Sequence, residues 1–95
     1  MSLADLTPAE ITEEVVLPII QYTEQRHKVV WTPARVLMED GSFSRIEQMV
    51  PSERRLYFGR LKKILRTFAD EGILERRDTP QSIGADSEIG YDYVA

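Results

Sequence analysis

The 95-residue chain is 42% hydrophobic and 29% charged with a formal net charge of −4, the composition of one globular domain with a single modest core. It has no cysteine and a single histidine, His27, which excludes disulfides, thiolate metal sites and any multi-histidine centre built from one chain. The longest apolar run, Val15 to Ile20, contains Pro18, and the acidic opening lacks the basic start and apolar stretch of a signal peptide. No membrane span is therefore expected, and the expected location is the reducing cytoplasm.

Residues 1–6 are expected to be a flexible start to a single domain over 1–95. "TPAE", Thr7 to Glu10, is a capping box with proline at the first helical position. Ile11, Val15, Ile19 and Tyr22 then recur at helical spacing, which predicts a helix from about Pro8 to Arg26, bent near Pro18. "HKVVW", residues 27–31, reads as a short strand, with Trp31 as the central core aromatic. Thr32-Pro33 repeats the cap-plus-proline opening for a short second helix that ends at Gly41. "FSRIEQMVP", residues 43–51, reads as one or two helical turns capped by Ser44 before Pro51 interrupts.

The clearest periodicity runs from Ser52 to Glu71. Tyr57, Leu61, Ile64, Leu65 and Phe68 form an apolar stripe, and Gly72 follows as a helix stop. "ILERR" and "EIGYDYVA" then read as two strands of an antiparallel hairpin, with Ile89, Tyr91 and Tyr93 on one side and a loop over 78–88.

Charge is unevenly spread. Residues 1–25 hold five acids and no lysine or arginine, whereas residues 54–66 hold six basic residues and no acid. Those six are Arg54, Arg55, Arg60, Lys62, Lys63 and Arg66. Like charges at helical neighbour spacing repel unless a partner relieves them. Nucleic-acid contact is the reading preferred here over a plain solvated face or a protein-docking face.

The run "LKKILRTFADEGILERR", residues 61–77, resembles the core of winged helix-turn-helix domains of the MarR-like and PadR-like kind. Phe68, Gly72, Ile73, Leu74 and Arg76 stand at the matching places, "VVWTPARVL" resembles the earlier strand and second helix, and "EIGYDYV" resembles the returning wing strand. The resemblance implies an α+β winged helix fold, with three main helices and a C-terminal β-hairpin wing. It implies that Arg60, Lys62, Lys63 and Arg66 face outward from a recognition helix lying in the major groove of double-stranded DNA, where arginine can pair with guanine and both cations neutralise phosphates. Arg76 and Arg77 would reach a flanking phosphate from the start of the wing. A glycine at 59 would let a backbone approach closely, whether of nucleic acid or of another helix.

The expected function is thus that of a small DNA-binding transcriptional regulator, using Arg54, Arg55, Arg60, Lys62, Lys63, Arg66, Arg76 and Arg77. Val16 and Ile20 widen the apolar face of the first helix, and their expected use is a symmetric homodimer contact. The wing tip carries Asp78, Asp86 and Glu88 and no basic residue. That keeps an alternative open, a winged helix that docks on a protein through its acidic first helix or acidic wing. No nucleophile–base pair, phosphate loop or metal-ligand cluster is present in the sequence, so neither catalysis nor a cofactor is expected.

Overall fold

In a computed structural model, which describes residues 2–77 and 90–94, the chain is a small α+β domain of four α-helices and a two-stranded antiparallel hairpin. The helices are α1 (Glu13–Glu24), α2 (Pro33–Asp40), α3 (Phe43–Glu47) and α4 (Pro51–Asp70), and the strands are β1 (Leu74–Arg77) and β2 (Gly90–Tyr93). Two 3-10 turns, Leu3–Asp5 and Pro8–Glu10, precede α1. The expected loop over 78–88 and the facing of Ile89 lie outside the described residues.

Of the first six residues, expected to be flexible, residues 2–6 are described, and they pack against the rest of the domain. Leu3 and Ala4 are buried, and the segment is fastened by side chains from elsewhere in the fold. The Leu3 N–H donates to Asp40 Oδ2 at 2.7 Å, and the Ala4 N–H donates to Ser42 Oγ at 3.1 Å. The Ser42 hydroxyl donates in turn to Asp40, so one buried serine satisfies the turn on both sides. Arg45 pairs with Asp5 at 2.9 Å, and Tyr57 Oη donates to the Leu6 carbonyl at 2.6 Å. The Ser2 main-chain N–H and the Arg45 guanidinium hold the Asp5 carboxyl below its ordinary value by stabilising the charged form.

The helix expected over residues 8–26 is interrupted. The Thr7 main-chain N–H donates to Glu10 Oε1 at 2.8 Å, as a capping box requires, and this bond also lowers the Glu10 carboxyl's pKa. That box caps a single 3-10 turn, after which Ile11 is extended and fully buried. α1 restarts at Glu13 and runs unbroken through Pro18, which forfeits only the bond to the Glu14 carbonyl. The restart sets the phase of the helix: Val16, Ile20 and Thr23 face the core, and Tyr22 is exposed. Val16 and Ile20 are therefore not left over for a homodimer contact; both are fully buried within one protomer.

α2 begins as expected, with Thr32 Oγ1 accepting from the Arg35 N–H at 3.1 Å and proline at its first position. It ends at Gly41, whose φ of 81° only glycine adopts at low cost. Ser42, not Ser44, holds the N-cap position of α3, without a side-chain capping bond, and Pro51 opens α4 instead of interrupting it, since proline suits the first turn of a helix. α4 is 20 residues long, so it spans about 30 Å. The expected stripe of Tyr57, Leu61, Ile64, Leu65 and Phe68 is the face it buries.

Beyond α4, Gly72 at φ 82° lets the Ile73 N–H reach the Phe68 carbonyl at 2.9 Å, and the chain turns directly into β1. The hairpin pairs Leu74 with Tyr93 and Arg76 with Tyr91. Trp31 forms an isolated bridge to β2: its N–H donates to the Tyr91 carbonyl at 2.7 Å, and the Tyr91 N–H donates back at 2.9 Å. This bridge ties the fully buried Trp31 to the hairpin, and it belongs to one core with Val36, Leu37, Ile46 and Leu74.

Candidate functional site

The outer face of α4 and the adjoining edge of the hairpin enclose a groove of about 670 Å³. Gly59, Lys62, Lys63 and Arg66 line it from the helix at successive turns, Arg76 lines it from β1, and Tyr91 from β2. Lys62, Lys63 and Arg66 are exposed and enter no ion pair among the described residues. Arg55 is also exposed and stands four residues before Gly59, which puts it on the same face of the helix. Lys62 and Lys63 each stand one turn before Arg66, and like charges at that spacing repel, so this stretch of the groove is basic.

Four of the eight basic residues expected to contact a partner thus line the groove, and Arg55 extends its face. The other three are engaged elsewhere. Arg60 is half-buried, its Nε donates to the Ile11 carbonyl at 2.7 Å, and it does not line the groove. Arg54 Nη1 donates to the Glu47 carbonyl at 3.1 Å and closes the end of α3 against α4. Arg77 Nη1 lies 3.7 Å from Asp92 Oδ1 across the hairpin. For each the cause is the same: a guanidinium carries several donors on a long stem, and a nearby carbonyl or carboxylate captures it.

Glu13, at the start of α1, lies close enough to Glu71, just after α4, and to Arg60 for their charges to act on it. Partial desolvation and the Glu71 charge raise the Glu13 carboxyl above its ordinary value, and the Arg60 charge offsets part of this.

Asp70 is a groove residue that the sequence reading did not single out. Its position four residues beyond Arg66 was the available signal, since that spacing places both on one helix face. The groove is therefore basic from Gly59 to Arg66 and acquires an acid at the C-terminal end of α4. Among the described residues, no group of three histidine, aspartate or glutamate side chains could hold a metal ion, and no helix is long and apolar enough to cross a membrane. Compared with known protein families, with curated proteins and with solved structures, the chain matches none of them.

Proposed function

We propose that this chain is a winged helix domain that binds double-stranded DNA, as a small transcriptional regulator does, with α4 as its recognition helix. The observation that carries the reading is the gathering of Lys62, Lys63 and Arg66 from α4 with Arg76 from the hairpin around one groove. The topology supports it. A strand residue after the first helix, Trp31, pairs on the returning strand β2, and β2 pairs on β1, the arrangement a wing requires. The long α4 presents its apolar stripe to the core and a basic face outward, so the helix can lie against a duplex without exposing core residues.

In this reading Lys62, Lys63 and Arg66 neutralise phosphates, Arg55 extends the track toward the start of α4, and Arg76 meets a flanking phosphate from the hairpin. Arg54, Arg60 and Arg77 hold the fold in shape rather than contact DNA. The test is fluorescence anisotropy with a labelled random duplex over a salt series, on the wild type and on Lys62→Ala/Lys63→Ala/Arg66→Ala. The wild type is expected to bind with a steep salt slope, and the triple variant with weaker affinity and a slope shallower by up to about three units. Absence of binding by the wild type at low salt would sink the proposal and turn attention to an acidic protein partner.

A further inference from the structure

The described glycines differ in why they are glycine. Gly41 and Gly72 sit at φ of +81° and +82°, where other residues are strained. Gly90 packs so closely that an added Cβ would stand 2.5 Å from Val30 Cγ1. Gly59 has neither reason: it is helical, and a Cβ there would meet nothing within 4 Å. Glycine inside a helix is destabilising relative to alanine, because the unfolded chain loses more freedom on folding. Nothing in the described residues offsets that cost at position 59.

The position itself supplies a reason from outside the protein. Gly59 lines the basic groove, one turn before Lys62 and Lys63 and two before Arg66. The lack of a side chain opens a notch in the helix surface, in the same groove that Lys62, Lys63 and Arg66 line. We infer that Gly59 is the place where the bound partner's backbone lies directly against α4, and that this partner is the sugar–phosphate backbone of the duplex. The inference rests on the DNA-binding reading above and assigns it a contact point. A phosphodiester chain matches the notch in both respects. It repeats a negative charge at short intervals, so Lys62, Lys63 and Arg66 can take successive phosphates. Its phosphate oxygens also need a close approach to the helix for those lysines and that arginine to reach them together.

The experiment compares wild type, Gly59→Ala, Gly59→Leu and the Lys62→Ala/Lys63→Ala/Arg66→Ala variant, each titrated against the labelled random duplex at low salt and melted separately. Both Gly59 variants are expected to fold. Gly59→Ala should melt roughly 2–8 °C above wild type, from its better helix propensity. Despite this gain, Gly59→Ala is expected to bind several-fold more weakly and Gly59→Leu about tenfold more weakly. If both Gly59 variants bind as tightly as wild type while the triple variant loses affinity, the groove binds DNA and the inference about Gly59 is wrong. If wild type itself fails to bind, the DNA-binding reading and this contact point fall together.

Discussion

The Arg60 guanidinium reaches 49 residues back along the chain to donate to the Ile11 carbonyl at 2.7 Å. That carbonyl belongs to a fully buried residue between the 3-10 turn and α1, where the helical ladder is broken. Arg60→Ala leaves it without this donor. The variant is expected to lose about 1–3 kcal/mol of stability, the cost of leaving a buried acceptor unsatisfied. Urea denaturation followed by the fluorescence of Trp31, the only tryptophan and fully buried, measures this directly. The salt slope of DNA binding should be unchanged. A variant with wild-type stability and a shallower slope would put Arg60 back among the DNA contacts.

Ser42 performs the corresponding task at the other end of the N-terminal segment. Its hydroxyl accepts from the Ala4 N–H and donates to Asp40, and the residue is fully buried. Ser42→Ala removes both bonds and leaves the Ala4 donor unsatisfied in the interior, a cost of about 1–3 kcal/mol. The expected outcome is a lower urea midpoint together with faster amide exchange at Leu3 and Ala4. Fast exchange at those amides already in the wild type would show that the segment is not fastened as the bonds require.

How far the residues announced this arrangement depended on how local each determinant was. Thr32-Pro33, Gly41 and Gly72 act within a few residues of themselves, and all three start or stop helices where expected. The stripe from Tyr57 to Phe68 was equally legible, because an unbroken helix keeps its phase. α1 was not. Its stripe was extended from Ile11 through a break at Ile11-Thr12, and the restart at Glu13 turned Val16 and Ile20 inward. The basic groove was legible as a charge run but not in its membership. Whether an arginine faces solvent depended on carbonyls 7 and 49 residues away for Arg54 and Arg60, which no local pattern encodes.

The acid pair at the junction of α1 and α4 makes stability depend on pH. Glu13 has its folded pKa raised above the ordinary value of 4.5 by desolvation and by Glu71. A raised carboxyl binds its proton more tightly in the fold than in the unfolded chain, so its contribution is fully present below pH 4.5 and is lost as pH rises through the folded value. Glu13→Gln nearly preserves the shape and removes the titration. It is expected to raise Tm at neutral pH, with the gain fading toward pH 4. Asp5 and Glu10 run the opposite way: their lowered values add stability above the ordinary 3.8 and 4.5, which is lost as pH falls through the folded values. Melting curves from pH 3 to 8 on wild type and Glu13→Gln separate the two. A gain equal at all pH values would mean that the substitution acts through packing and not through the Glu13 proton.

Asp70 gives the groove a polarity that binding should report. It is exposed, lines the same groove as Lys62 and Arg66, and stands at the C-terminal end of α4. There its charge opposes both a passing phosphate and the negative end of the helix dipole. Asp70→Asn removes the charge with almost no change of shape. At low salt the variant is expected to bind a random duplex a few-fold more tightly, with the gain shrinking as salt screens the repulsion over about 10 Å at 0.1 M. Stability should stay level or rise by about 0.3–1 kcal/mol, since an acid leaves the wrong end of the dipole. An unchanged affinity at low salt would place the DNA track away from Asp70, toward Arg55 and the N-terminal half of α4. A weaker affinity would mean that Asp70 orients Arg66, and Asp70→Asn/Arg66→Ala would then bind no worse than Arg66→Ala alone.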